Sequence, residues 1–248
     1  MKPIKAKDLL ELDNRLQVVK LQSYPIPEQV IWQAAKCDYS ETPIHEREIP
    51  SPSDCGKWVV DTLLKSSHFG PLEHPSITFS VSGYVHSVMV QGRTHRIGNS
   101  WDCQSSRYTG KRILKVANEE IDIEDVFYVR PVGFYTNRQG KKYVWEEEHR
   151  QRKLSRILSE CEEYAYYYNQ GMAEEHIRDY LPQAIRQNCV VSFNLRSVLH
   201  FLDMRSKLDA QLEIQALCLQ FADHLAKWSP NVWKYYEETR LYKGKISP

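Results

Sequence analysis

The sequence predicts an α+β fold in which a mixed or antiparallel sheet is flanked by helices, within one domain spanning residues 1–248. Ile77, Phe79 and Val81 alternate with polar residues, as a half-buried strand does, and the run Cys189–Phe193 reads as a buried strand. Residues 145–170 and 194–228 instead repeat their apolar positions with a helical period. No internal repeat, low-complexity run or linker divides the chain.

In chain order, residues 16–21 form a short strand. After Pro25 and Pro27, residues 27–36 predict a helix with Val30, Ile31, Ala34 and Ala35 on one face. The proline-rich, charged stretch 42–52 is a loop. Ser53 caps a helix that carries Trp58, Val59, Leu63 and Leu64 inward and ends near Gly70. Residues 84–91 are apolar enough for a buried helix. From Ile113 to Trp145 the pattern turns to β, with a hairpin signal at 137–140. The helix over 145–170 has an acidic first turn and a stripe of Leu154, Ile157, Leu158, Cys161, Ala165 and Tyr168, with Gly171 beyond it. A short helix over 173–181 stops at Pro182. The helical region 194–228 is broken near 206–209.

Lysine plus arginine (33) nearly balance aspartate plus glutamate (32), so no global field favours nucleic acid or an anionic membrane. Cysteines 37, 55, 103, 161, 189 and 218 are scattered without C-x-x-C or metal-ligand spacing, as reduced intracellular thiols are. A structural metal is not expected. Neither a secretory leader nor an apolar run of about 20 residues is present, which predicts a soluble, cytoplasmic protein.

The stretch Gln91–Tyr108 is the chemical centre of the sequence. It holds three arginines, one histidine, three serines and two glutamines in eighteen positions. Neither a strand nor a helical period fits it, so it reads as a helix end running into a loop. Forked guanidiniums, hydroxyls and loop amides suit an anionic ligand, most simply a nucleotide. The same residue types also suit a solvated polar loop. His74, at a helix–strand junction, and Arg178, on the short helix, each have equally ordinary structural readings. On the helix after Asn194, Leu195, Val198, Leu199 and Leu202 face the core, leaving Arg196, His200 and Asp203 to share another face. No Gly-rich dinucleotide fingerprint, P-loop or nucleophile elbow is present.

Three ordered motifs then carry a resemblance. Thr94-His95-Arg96, eight residues, Ser105 and Ser106-Arg107-Tyr108 are similar to the Arg-His-Arg, seven residues, Ser, x-Arg-Tyr signature of the flavin-dependent thymidylate synthases. Leu72-Glu73-His74 upstream matches as well, as does Asn194-x-Arg196-Ser197, His200-Phe201-Leu202-x-x-Arg205 and Ala210-Gln211-x-Glu213-Ile214 downstream. The resemblance runs from about Pro71 to Trp228, with 109–150 a β-rich elaboration.

That resemblance implies a homotetramer with shared active sites, binding FAD and no nucleic acid or membrane. It implies reductive methylation of dUMP to dTMP, with 5,10-methylenetetrahydrofolate as carbon donor and NADPH as reductant. By position, His95, Arg96, Asn194, Arg196 and His200 would hold FAD, with Ser76 touching it. Thr94 stands where the family has arginine, so Arg93 or the backbone would take over its contacts. Gln91, Gln104, Ser105, Ser106, Arg107 and Arg178 would bind dUMP, Arg178 from a neighbouring chain. Arg205 would face the uracil and stabilise its ionised form, and His74 would lie near flavin and folate. Ser105 has no local base and is expected as a phosphate ligand, so no covalent enzyme nucleophile is required. Cys103 is a neighbour of the site. The alternatives are a non-catalytic nucleotide- or flavin-binding regulatory protein and, against the neutral charge, an RNA-binding module.

Overall fold

The computed structural model describes residues 2–243. The chain opens with Ala6–Leu12 (α1), Gln17–Ser23 (β1), Pro27–Cys37 (α2) and Pro52–Trp58 (α3). A π-helical turn, Val59–Leu64, and a 3-10 turn, Gly70–Glu73, lead into Ser76–Val85 (β2) and His86–Gly92 (α4). Next come Asn99–Cys103 (β3), Ser106–Thr109 (α5), Lys111–Ala117 (α6) and Ile123–Val126 (α7). The hairpin Gly133–Thr136 (β4) and Lys142–Trp145 (β5) precedes the long Glu147–Asn169 (α8). Glu174–Ile177 (α9), a 3-10 turn at Arg178–Tyr180, Arg186–Asn194 (β6) and Leu195–Arg205 (α10) follow, and Leu212–Trp228 (α11) and Pro230–Thr239 (α12) end the description. Among the described residues no helix is long and apolar enough to cross a membrane.

The predicted α+β class holds. The main sheet has the order β1-β2-β6-β3 and is antiparallel throughout. Ile77 lies opposite Phe193, Phe79 opposite Val191 and Val81 opposite Cys189, so one face is continuously apolar. Against it pack α10 and α11: Phe79 meets Phe221 at 4.8 Å and Phe193 meets Phe201 at 5.6 Å between ring centroids. Each of these fully buried rings contributes about 1.5–3 kcal/mol.

Gly83 interrupts the β2–β6 register, and its φ of 78° leaves no room for a side chain, because a Cβ would lie 2.0 Å from the Arg15 carbonyl oxygen. Arg186 seals this irregularity from below. Its guanidinium donates to the Gly83 carbonyl, to Asp13 Oδ2 and to the Glu124 carbonyl, each at 2.7 Å, with both ionic partners buried.

A second apolar cluster joins Ile113 and Val116 of α6, Phe127, Ile157, Cys161 and Tyr164 of α8, and Ile177. It overturns the β reading of 113–145. Only the short hairpin there is β, because Ile113 and Val116 sit one helical turn apart and bury against α8. Glu213 ties this region to α11, accepting from Tyr128 Oη at 3.0 Å and from Arg130 Nη2 at 2.7 Å.

Further expectations change in detail. Ser51 rather than Ser53 caps α3, its hydroxyl accepting from the Asp54 amide at 3.2 Å, because Pro52 suits the first helical position. Tyr84 and Val85 end β2 instead of starting the next helix. On α2 the buried face is Glu28, Ile31, Trp32 and Ala35, with Val30 and Ala34 only partly covered. Helices α1 and α12 lie outside the sequence reading. Glu28 of α2 anchors the last of these. Its carboxylate accepts from the amides of Asn231 and Val232 and from the Ser229 hydroxyl, at 2.8, 3.1 and 3.1 Å, at the start of α12.

Candidate active site

Helix α4 stops at Gly92, where a Cβ would come within 2.8 Å of the Trp101 ring. The chain then turns on Thr94, whose hydroxyl donates back to the Gln91 carbonyl at 2.7 Å. The turn closes on Gly98, whose φ is 66°. Its carbonyl accepts from the Asn194 amide at 2.9 Å, and a Cβ there would lie 2.1 Å from Ser197 Oγ. The turn is therefore seated on the start of α10. Asn194 caps that helix as its sequence position predicts, its Oδ1 accepting from the Ser197 amide at 2.8 Å.

The strand over 99–103 corrects the reading of 91–108 as a helix end followed by loop. It pairs with β6 from Asn99–Phe193 to Cys103–Cys189. Its inward residue Trp101 packs edge-on against Phe193, 5.7 Å between centroids. Five residues on a sheet edge are too short to show a period among so many polar side chains.

This turn brings together residues far apart in sequence. Arg205, at the end of α10, donates from Nε to His95 Nε2 at 2.9 Å and from Nη2 to Thr94 Oγ1 at 3.2 Å and the Gln91 carbonyl at 3.3 Å. The His95 ring sits 4.9 Å from Phe201 and edge-on to His200 at 5.6 Å. Burial first, then the charge of Arg205 and His200, lowers the His95 pKa to about 4. The ring is thus neutral, with Nε2 free of a proton, as accepting from Arg205 requires. The Gln91 side chain donates to Gln211, which donates to Ser87 Oγ at 3.3 Å.

At the same end of the sheet, Ser76 pairs with Asn194 across β2 and β6, and Arg196 donates to Glu73 at 2.6 Å beside His74. Arg96 and His74 are exposed. Asp203 departs from its expected face: it is buried, accepting from Tyr236 Oη at 2.9 Å and Arg240 Nη2 at 2.8 Å. Its position turns toward α12, an element the sequence reading did not place.

A second group lies at the other end of β3. The Gln104 amide donates to the Asn188 carbonyl at 2.8 Å, Ser105 precedes α5, and Ser106 and Arg107 form its first turn. Arg107 lies 3.7 Å from Glu175 on α9, and Arg178 follows one turn later in the same chain. Strand β3 links the 91–98 turn to Ser105, and the turn folds back along it, since a Gly92 Cβ would meet the Trp101 ring at 2.8 Å and the His95 and Trp101 rings both pack on Phe201. Cys103 pairs with Cys189 across β3 and β6, and this neighbouring thiol, which itself donates to Met89 Sδ at 3.4 Å, brings the Cys103 pKa down to about 7 against the opposing effect of burial. The positive charge of Arg93 also acts on Cys103. The sequence reading missed Glu73 as partner of Arg196 and the Gln91–Gln211–Ser87 chain.

Comparison with known proteins places this arrangement. The family model described as thymidylate synthase complementing protein matches residues 20–231, a longer span than the motifs suggested. The flavin-dependent thymidylate synthase of Halobacterium salinarum is 31% identical over 94% of this chain and 100% of its own length. That of Clostridium tetani is 27% identical over 88% of this chain and 85% of its own. Among solved structures, a UMP/dUMP methylase, PolB, from Streptomyces cacaoi bound with 5-Br dUMP shares the fold, with a TM-score of 0.75 at 21% identity over 94% of this chain and 97% of that one. Thymidylate synthase X from Helicobacter pylori, solved with FAD and dUMP, does so with a TM-score of 0.69 at 16% identity over 92% and 100%. The profile match and the full-length relative together show that this chain belongs to the thymidylate synthase complementing protein family, the flavin-dependent thymidylate synthases.

Proposed function

We propose that the chain binds FAD and catalyses the reductive methylation of dUMP to dTMP, taking carbon from 5,10-methylenetetrahydrofolate and reducing equivalents from NADPH. The observation that carries this reading is the fixed Arg205. Two of its three nitrogens are held by the 91–95 turn, and among the described residues Nη1 has no acceptor. A guanidinium immobilised in this way stabilises negative charge on a uracil ring better than water, since no reorganisation is needed as C5 becomes nucleophilic.

The donor set fits the flavin as well. His95, His200, Asn194, Arg196 and Ser76 lie along α10 and at its start, with Thr94 and Arg96 on the adjoining turn, and they offer aromatic faces and donors, the Glu73 carboxylate being paired with Arg196. When bound, FAD supplies the hydride chemistry; the protein residues bind, orient and exclude water. Thr94, which replaces the family's arginine, spends its hydroxyl on the turn and on Arg205. Ser105 has no base beside it and acts with Gln104, Ser106, Arg107 and Arg178 on the dUMP phosphate. No covalent enzyme nucleophile takes part.

Composite sites belong to the same reading, and the family membership supports them. A neighbouring copy completes the nucleotide site with its Arg178, within a homotetramer of one-domain chains. His74 then lies at the rim where folate approaches. An absorbance spectrum before and after anaerobic NADPH, with dUMP present, tests the redox half. Flavin bands that bleach support the reading, and a colourless protein that refuses added FAD removes it.

A further inference from the structure

Arg112 has no place in the chemistry above, and its surroundings are unusual. Its Nε and Nη2 are shielded from solvent with no acceptor, although the residue as a whole is only half-buried, so one end of the fork stays reachable. Burial alone, with no carboxylate to compensate, lowers its pKa. A buried guanidinium without a counter-ion is strongly unfavourable, so its partner comes from outside the chain.

The neighbourhood indicates where. Gly110 has helical backbone angles (φ −61°, ψ −26°), and the Ile113 amide donates to its carbonyl three residues back at 2.8 Å, so α5 passes into α6 through a single 3-10 turn that keeps the helical hand. Ser105, Thr109 and Arg112 then stand at i, i+4 and i+7 on one face, and Thr109 Oγ1 donates to the Ser105 carbonyl at 2.9 Å. The rise from Ser105 to Arg112 is about 10 Å. A helical side chain leans back toward the N-terminus, and arginine is long enough to cover most of that rise. A second orphan flanks the same helix: the buried Tyr164 hydroxyl has no partner and lies 2.3 Å from where a Gly110 Cβ would be.

We infer that Arg112, with the Tyr164 hydroxyl that lies against Gly110 as a second donor, is a further ligand of the phosphate of the bound nucleotide, approaching from behind Ser105 and Arg107. The inference rests on the dUMP reading of the Ser105–Arg107 group. A phosphate dianion supplies the missing negative charge, and the adjacent Ser105–Arg107 turn already presents donors to the same ligand.

The test is calorimetric titration of the FAD-loaded full chain with dUMP and with deoxyuridine, which lacks the phosphate, using wild type, Arg112→Met, Arg112→Lys and Tyr164→Phe. Arg112→Met is expected to weaken dUMP about tenfold to a hundredfold while deoxyuridine binding is unchanged. Arg112→Lys recovers only part of the loss, because an ammonium lacks the fork. Equal dUMP affinity in wild type and variants overturns the inference alone, and so does an equal loss for dUMP and deoxyuridine. A wild type that binds no dUMP removes the parent reading and this one with it. Unchanged dUMP affinity with a smaller sedimentation coefficient assigns Arg112 to a carboxylate of a second copy, which also overturns it. Should Arg112→Met fail to fold, Arg112→Lys and Tyr164→Phe carry the same comparison.

Discussion

Arg205 Nε donates to His95 Nε2 at 2.9 Å, across 110 residues of sequence, and the arginine adds to burial in favouring the neutral imidazole. Burial and the arginine hold His95 at a pKa of about 4, below its ordinary 6.5. The unfolded chain therefore binds more protons than the folded one between these values. His95 contributes stability above about pH 6.5 and loses it as the pH falls toward 4. In protein labelled with ¹³C-histidine, one imidazole should stay neutral down to about pH 4. In Arg205→Met its midpoint should rise toward 6.5 without reaching it, since the burial remains. A midpoint unmoved by the substitution would show that the arginine has no electrostatic hold on the ring.

Arg205→Lys tests the uracil role. An ammonium lacks the planar fork that sets Nε on His95 and Nη2 on Thr94 while Nη1 faces a substrate carbonyl, so kcat should fall about a hundredfold or more. Flavin content should stay near that of the wild type. Turnover within a few-fold of wild type would shift the role to another cation.

Cys103 offers a separate check. Its thiol should alkylate with a midpoint near pH 7 and well ahead of Cys189, whose pKa the neighbouring Cys103 and then burial raise. Cys103→Ser should keep substantial turnover, because no covalent nucleophile is needed. Loss of turnover with dUMP binding intact would contradict that mechanism.

Gly98→Ala should destabilise the protein by about 1–3 kcal/mol, because the backbone is in the left-handed region and the new methyl meets Ser197 and Asn194. Thermal unfolding measures the loss, and FAD retention should fall with it as the turn leaves α10. An unchanged melting temperature would mean that the turn is free to move.

Much of this was legible in the sequence. Asn194 announces α10 through its capping side chain, and the Leu195, Val198, Leu199 and Leu202 stripe is buried as its spacing requires. The helix at 147–169 declares itself by its period and by Gly171, whose φ is 80°. What was not legible depends on partners remote in sequence. Strand β3 exists because Phe193 and β6 lie beside it, and α6 is helical because α8 takes its apolar face. Asp203 is a charged group whose burial makes sense only once Tyr236 and Arg240 are in place. The approach of Arg205 to His95 is likewise a tertiary fact, although both positions were marked by residue type. Arg112 stood seven positions after Ser105 in plain view, but only its missing acceptor distinguishes it from an ordinary surface arginine.

The carboxylate of Glu28 has a consequence for how the chain can be shortened. It belongs to the second helix, is 4% exposed, and takes its donors from Ser229, Asn231 and Val232 near the opposite end of the sequence. Trimming the protein ahead of Ser229 would strand an anion in the interior of the N-terminal half, so damage from a C-terminal deletion would surface more than two hundred residues away. A nonsense codon there should behave as a folding lesion rather than as a lost tail. A reporter fused to the C-terminus, by contrast, leaves the helix start and its anion together.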